Sequence, residues 1–422
     1  MRKVDIAILG GGVAGLGFYS GCKSGIIFEK DSRPGGHIKS RRIENYYFDQ
    51  GAHICHSKNA DWLKLLMNNS VSINEKKSAV LNLKKDLVFE YPVQNNLFRQ
   101  NINLRSQVLK ELWTITSQSS ELSNYEDWLI AQYGVTLYEE FYKLYTEKYW
   151  RTEASEMGLG WLKGRLINLD KDNIIAGLFE KPQASQAVFN TFKYPKKGGF
   201  ESFFTHLYDD VPIELNHEVN RIDTDNKIVY FLDKDPIQYS NLISSLPLTD
   251  LVRKIHPLRE ELISTSENLK FLNLIQINLV LNQTSVPLMS DSDWFYIYDQ
   301  DIDISRVSLL NNVSGSEGKT IIQAEIFRRN DESRDVQKLV DKGIKDLLRI
   351  FRSDDEDIVL ATNSLIEYTY PVPLKNTDKE VNRLKDALRQ LGIHTIGIYG
   401  NWDYTFSDLT YQNAYNYGKS FL

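Results

Sequence analysis

The residues with the clearest chemistry stand at the front of the chain. Gly10-Gly11-Gly12-Val13-Ala14-Gly15 fits the pattern G-x-G-x-x-G, directly after the aliphatic run Val4 to Leu9. Each glycine in that pattern has its own task. Gly10 allows a tight turn, Gly12 lets backbone approach a pyrophosphate, and Gly15 lets the following helix pack close to the strand. Val13 and Ala14 open a helix whose free N–H groups and positive dipole end favour phosphate. Glu29, followed by Lys30, ends the next β-branched run nineteen residues after Gly10. An acid so placed accepts hydrogen bonds from a ribose hydroxyl pair. A surface acid is the bland reading of Glu29, but the order strand, glycines, helix, strand, acid favours the ribose. Together these residues spell dinucleotide binding.

A second group of candidates is more ambiguous by itself. Gly35-Gly36 permits another close backbone approach, or is a plain turn. Phe48-Asp49-Gln50-Gly51-Ala52-His53 follows it. Two arginines lie in apolar surroundings: Arg165 among Trp161, Leu162 and Leu166, and Arg306 between Ile304 and Val307. A guanidinium fork there either clamps a phosphate or completes a structural ion pair. His53 and His56 lack an accompanying Cys or acid cluster, so no metal is expected. No G-x-S-x-G occurs, so a serine hydrolase is not expected either.

The elements that must position these groups can be sketched from periodicity. Val4 to Leu9, Val13 to Lys23 and Gly25 to Glu29 read as strand, helix, strand. That helix carries Gly17, Ser20 and Gly21, all poor helix formers. Asp61 to Gln186 reads as largely helical, with only Val80 to Tyr91 extended. Strands return over 211–222, 227–232 and 241–245, and Phe271 to Phe327 is strand-rich. A helix from Ser333 to Arg352, a strand from Ile393 to Tyr399 and a helix from about Thr410 close the chain. The expected fold is α/β. Residues 1–60, 195–265 and 360–422 would form a discontinuous Rossmann-like domain, 61–194 a mainly helical insertion, and 266–359 an antiparallel-sheet substrate domain.

Composition narrows the class. The chain has 422 residues and a net charge of −6, which gives nucleic-acid binding no electrostatic support. Its two cysteines, Cys22 and Cys55, suggest a reducing compartment. The apolar run Phe271 to Leu281 is broken by Asn273, Gln276 and Asn278 and is too short to span a bilayer. These features read as a cytoplasmic protein without stable membrane insertion.

The acid-x5-Gly-Gly spacing followed by FDQGAH resembles the FAD family of amine oxidases, protoporphyrinogen oxidases and UDP-galactopyranose mutases. Further segments resemble the mutase branch: GAHICHSKNADWLKLL (51–66), EYPVQNNL (90–97), YTEKYW (145–150), GWLKGRL (160–166) and KYPKKGGFESFF (193–204). DWFYIYDQDIDISRVSLLNN (293–312), TYPVPL (369–374) and GIYGNWDYTFSD (397–408) continue the series over nearly the whole chain. Ile398 stands where the mutases carry arginine, and Ala52 where many relatives have glycine or proline.

The resemblance implies FAD held or flanked by Gly10, Gly12, Val13, Ala14, Gly15, Glu29, Lys30, Gly35, Gly36 and His53, with Asp408 seating the flavin ring. It implies Arg165 and Arg306 on a substrate diphosphate, joined by Tyr296, Tyr370 and Tyr404, with Gln94 and Trp150 at the nucleotide end. The implied activity is a pyranose–furanose mutase of surface-polysaccharide synthesis, using reduced FAD as covalent catalyst on a nucleotide-diphosphate sugar. The superfamily also admits an FAD oxidoreductase acting on an amine, a porphyrinogen or a modified sugar, or a flavin-binding protein without catalysis. Homodimerisation is left open.

Overall fold

The computed structural model describes residues 1–67, 73–77, 80–85, 87–115, 122–162, 170–181, 191–282, 293–310, 318–333 and 335–421. Arg2–Leu9 is continuously buried from Ile6 onward, as a strand covered on both faces must be. It pairs in parallel with Ile26–Phe28 on one side and Ile237–Ser244 on the other. Ile213–Glu214 and Ile393–Thr395 extend the parallel pairing outward. Val219–Asp223 and Ile228–Phe231 add an antiparallel meander beside Ile237–Ser244. Three separated stretches of chain therefore build one Rossmann-like sheet, and the fold is α/β.

The helix Val13–Cys22 explains its own poor helix formers. Its Gly17 and Gly21 face the helix Ser407–Phe421, which answers with Ala414 and Gly418. A Cβ on Gly21 would lie 2.1 Å from the Tyr415 carbonyl oxygen, and one on Gly418 would lie 2.2 Å from that of Phe18. The glycines trade propensity for close helix contact, so the C-terminal helix is locked against the nucleotide-binding one.

A second sheet runs in the order Ile358–Pro371, Phe271–Leu281, Thr320–Arg329, Arg306–Leu309, Trp294–Ile297, Val80–Lys84, Leu87–Glu90. Pairing is antiparallel except between Trp294–Ile297 and Val80–Lys84. Its two faces differ in kind. Ile275, Ile277, Ile326, Ala324 and Val307 form an apolar face, covered by the helix Val336–Phe351 through Val340, Gly343, Leu347 and Phe351. The other face carries Gln276, Asn278, Gln323, Glu325, Arg306 and Ser308, placed together by register. Gln276 and Asn278, two of the three polar breaks in the apolar run 271–281, belong to this second face. Among the described residues, no helix is long and apolar enough to cross a membrane.

The helical region stands over the end of this sheet. Asn101, Asn124 and Asp170 cap the helices Ile102–Thr114, Tyr125–Tyr133 and Lys171–Phe179 by accepting backbone N–H groups of the first turn. Val108, Leu112, Leu129, Phe141 and Leu178 join one buried cluster.

Three local expectations change. Ile73–Lys77 is a strand inside the stretch expected to be helical, because it pairs with Thr191–Pro195. The strand expected over 393–399 ends at Thr395, since Gly397 adopts φ +80° and starts the short helix Gly397–Asn401. Ile358–Pro371, not singled out from the sequence, is a strand along the edge of the second sheet, paired with Phe271–Leu281.

Replacing Gly21 by valine inserts a side chain where backbone must pass. The expected loss is ~3 kcal/mol of unfolding free energy, from overpacking against a neighbour that cannot yield. The denaturant midpoint measures it; an unchanged midpoint contradicts the packing.

Candidate active site

The glycine loop is held by its own neighbours. Gly10 adopts φ +100°, and its N–H donates to the Phe28 carbonyl at 2.9 Å. Gly12 and Gly35 form a parallel bridge, with Gly35 N–H on the Gly11 carbonyl at 2.8 Å. A Cβ on Gly36, at φ +57°, would stand 3.2 Å from the Gly12 Cα. The two glycine motifs are thus one surface. Gly15 lies behind it; a Cβ there would meet the Gly10 carbonyl oxygen at 2.1 Å.

Glu29 is 5% exposed. Its carboxylate accepts the N–H of Gly11 at 2.6 Å and of Asp31 at 3.0 Å. It therefore shapes the loop while lining the cavity below. Asp49, in the FDQGAH segment, is also structural. It accepts from the Ser40 and Tyr194 hydroxyls and, at 3.0 Å, from the Phe200 N–H. Burial pushes its carboxyl up from the ordinary range, against His53 and these donors. The segment 193–204 thus buttresses the Gly35-Gly36 side rather than presenting a reactive group.

A cavity of about 1030 Å³ runs from this surface to the helical region. Gly10, Gly12, Val13, Ala14, Glu29, Lys30, Gly35, Gly36, His53 and Asp408 line its length. So do Gln94, Trp150, Tyr296, Arg306, Tyr370 and Tyr404. All the described candidates except Gly15 therefore meet on one cavity. Arg165 lies outside the described residues. Asp408 opens the helix Ser407–Phe421, and the buried Gln94 sits in a short turn packed on the helix Lys171–Phe179.

The far wall is aromatic. Tyr145 stands edge-on to Tyr296 at 5.3 Å between ring centres, Tyr370 edge-on to Tyr404 at 5.1 Å, and Trp150 edge-on to Tyr404 at 5.4 Å. Tyr149 stacks beside Tyr145 and Tyr370. Burial raises the Tyr145, Tyr149 and Tyr296 hydroxyls above their ordinary range, with Arg306 opposing. These phenols are neutral donors at physiological pH.

Arg306 is the cation of this wall. Its Nε and Nη2 both reach one oxygen of Glu325, each at 2.6 Å. Burial works against its charge, but the Glu325 carboxylate outweighs that and holds it protonated well above its usual range. The ion pair raised as the competing reading of Arg306 is present, and the guanidinium also lines the cavity. Tyr145, Tyr149, Glu325 and His37 were missed as site residues. Tyr145 and Tyr149 sit one turn apart beside Trp150, and Glu325 is an acid in an apolar strand; both signals were available in the sequence.

Among the described residues, no group of three or more His, Cys, Asp and Glu is placed to hold a metal ion. A dinucleotide cofactor fits what is present. The helix Val13–Cys22 has no side chain capping its first turn, its N-cap is Gly12, and the cavity beyond continues past Gly35 and Gly36 to the aromatic wall.

Sheet order, glycine surface and cavity together define a dinucleotide-binding fold with a separate aromatic wall. The sequence profile of the flavin containing amine oxidoreductases matches residues 20–364, and the chain belongs to that family. It is a flavoenzyme with FAD as cofactor. The match begins after the glycine loop, so the loop is separate support. No curated protein sequence matches the chain.

Among solved structures, a reduced UDP-galactopyranose mutase aligns with TM-score 0.88 at 20% identity, covering 99% of this chain and 96% of that one. A putative protoporphyrinogen oxidase from Exiguobacterium sp. 255-15 gives 0.75 at 14%, covering 100% and 99%. A putrescine oxidase bound to putrescine gives 0.62 at 13%, covering 99% and 98%. At these identities the likeness is one of fold.

Burial, with His53 and two lysines assisting, depresses the His37 imidazole to about 4. A depressed histidine destabilises the fold as pH falls, because the unfolded chain takes up the proton first. Without cofactor, stability should decline between pH 6.5 and 4, with His37 contributing at most ~3 kcal/mol. Thermal midpoints of the His37→Gln variant should fall less steeply over that window; parallel curves refute the assignment.

Proposed function

We propose that this flavoenzyme is a nucleotide-sugar pyranose–furanose mutase. The observation carrying the reading is Arg306 set among Tyr145, Tyr149, Tyr296, Tyr370 and Tyr404, across one cavity from the glycine surface. A diphosphate needs a cation and several neutral donors in a dry site, and this wall supplies them.

Gly10, Gly12, Val13, Ala14, Gly35 and Gly36 would hold the FAD diphosphate, Glu29 its ribose, and His53 and Asp408 the ring end. The chemistry supplied by the bound cofactor, in its reduced form, is nucleophilic attack at the anomeric carbon of the sugar. Arg306 takes up the negative charge of the departing nucleoside diphosphate, and the phenols donate hydrogen bonds to it. Trp150 and Gln94 orient the nucleotide, and the aromatic wall excludes water. No side-chain nucleophile is required.

Ile398 favours a second reading. It lines the cavity and stands where the mutases carry arginine, so the guanidinium they have at that position is replaced by an apolar side chain. A largely aromatic cavity with neutral phenols also suits oxidation of an amine or a porphyrinogen.

Redox behaviour separates the two. Dithionite-reduced protein incubated with UDP-hexopyranoses should yield the furanose isomer with no net flavin oxidation. Bleaching of the oxidised flavin by an amine, followed by oxygen consumption, would establish the second reading and overturn the first.

In the mutase, Arg306→Ala should lower kcat/KM by roughly 100- to 1,000-fold, the usual loss for a buried charge-stabilising donor. FAD should remain bound at full occupancy. Wild-type turnover in that variant would remove Arg306 from the mechanism.

A further inference from the structure

We propose that Glu325 is a positioning residue that couples anion binding at Arg306 to the Gly51–Ala52 peptide and thereby to His53. The inference rests on reading the cavity as a diphosphate site. Glu325 is 0% exposed, so its charge must be compensated within the protein. It divides its two oxygens. Oε2 takes Nε and Nη2 of Arg306 at 2.6 Å, and Oε1 accepts the Ala52 N–H at 2.9 Å.

The neighbouring anchor reinforces this link. Gln276 stands directly opposite Glu325 in the sheet, and its Oε1 accepts the Gly51 N–H at 2.8 Å. Two facing side chains on adjacent strands thus hold consecutive peptide N–H groups. The peptide lies close on them: Gly51 has φ +85°, and a Cβ there would stand 3.7 Å from Glu325 Oε1. His53 follows, with Nδ1 3.0 Å from the Gly51 carbonyl oxygen, and it lines the cavity.

An anion reaching Arg306 competes with Oε2 for the guanidinium. The carboxylate is then less neutralised, and its bond to the Ala52 N–H strengthens, since a charged acceptor binds its donor more tightly. The 51–53 segment responds, and with it the surroundings of the flavin. By linkage, a change in that segment alters anion affinity by the same factor. A carboxylate serving only to neutralise Arg306 predicts no such response at the flavin.

The test titrates FAD-loaded protein with UDP and with inorganic pyrophosphate, reading binding heat and the flavin difference spectrum. Wild-type protein should bind both and show a saturable spectral change. Glu325→Gln keeps the shape and removes the competing charge, and its single acceptor oxygen cannot serve both Ala52 and Arg306. It should bind pyrophosphate about tenfold more tightly, with its spectral change at saturation cut to roughly a third or less. Glu325→Asp keeps the charge but is one methylene too short to reach both partners. It should bind within about threefold of wild type and also lose the spectral change. A full spectral response in either variant, or weaker pyrophosphate binding by folded Glu325→Gln, overturns the coupling alone. Wild-type protein that binds neither anion overturns the diphosphate reading and the coupling with it.

Discussion

Backbone must meet backbone at the mouth of the helix Val13–Cys22, and the rest of the molecule is arranged around that demand. Gly12 bridges to Gly35, Gly36 closes on Gly12, and Gly15 lets the helix sit on the Gly10 carbonyl. A side chain at Gly15 would collide with the Gly10 carbonyl oxygen, and one at Gly10, Gly35 or Gly36 would strain a positive φ. The buried Glu29 carboxylate then fixes the loop from below through the Gly11 and Asp31 N–H groups. On the far side of the helix, Gly17 and Gly21 let the C-terminal helix approach equally closely. That contact brings Asp408 to the same cavity as Gly10, Gly12, Val13 and Ala14.

The antiparallel sheet solves a different problem. It must be anchored on one face and chemically useful on the other. Ile275, Ile277, Ala324 and Ile326 secure the first under the helix Val336–Phe351. Alternation along the same strands delivers Gln276, Glu325 and Arg306 to the second. Buried polar groups are costly unless paired, and this face is paired only in part: the Ser308 hydroxyl and the Gln323 amide are buried without a partner. The pairing runs outward from Arg306 to Glu325 and the 51–52 peptide, then from Gln276 to Asn278 at 2.9 Å. The paired part of the polar face therefore holds the 51–52 peptide against the sheet.

Much of the cofactor end was legible because its causes are local. A strand, three glycines at fixed spacing and an acid nineteen residues on are properties of a short segment. That Tyr296, Tyr370 and Tyr404 share one wall was suggested only by resemblance, since they lie far apart and the chain has 23 tyrosines. Glu325 escaped notice because its meaning depends on the strand opposite, where Arg306 stands in register. The strand Ile73–Lys77 was misread for a similar reason: INEKK has little strand preference, and its partner Thr191–Pro195 is more than a hundred residues away. The segment 393–399 shows the reverse error, where Gly397 stops a strand that its apolar neighbours suggested.

The account requires two diphosphates to face each other across one cavity, the cofactor's on the glycine surface and the substrate's on the tyrosine wall. A crystal structure of the reduced protein with FAD and UDP bound tests this most directly. The account predicts the FAD diphosphate at the start of the helix Val13–Cys22 and the UDP diphosphate within hydrogen-bond reach of Arg306. UDP density away from the tyrosine wall, with Arg306 engaged by Glu325 alone, would contradict it.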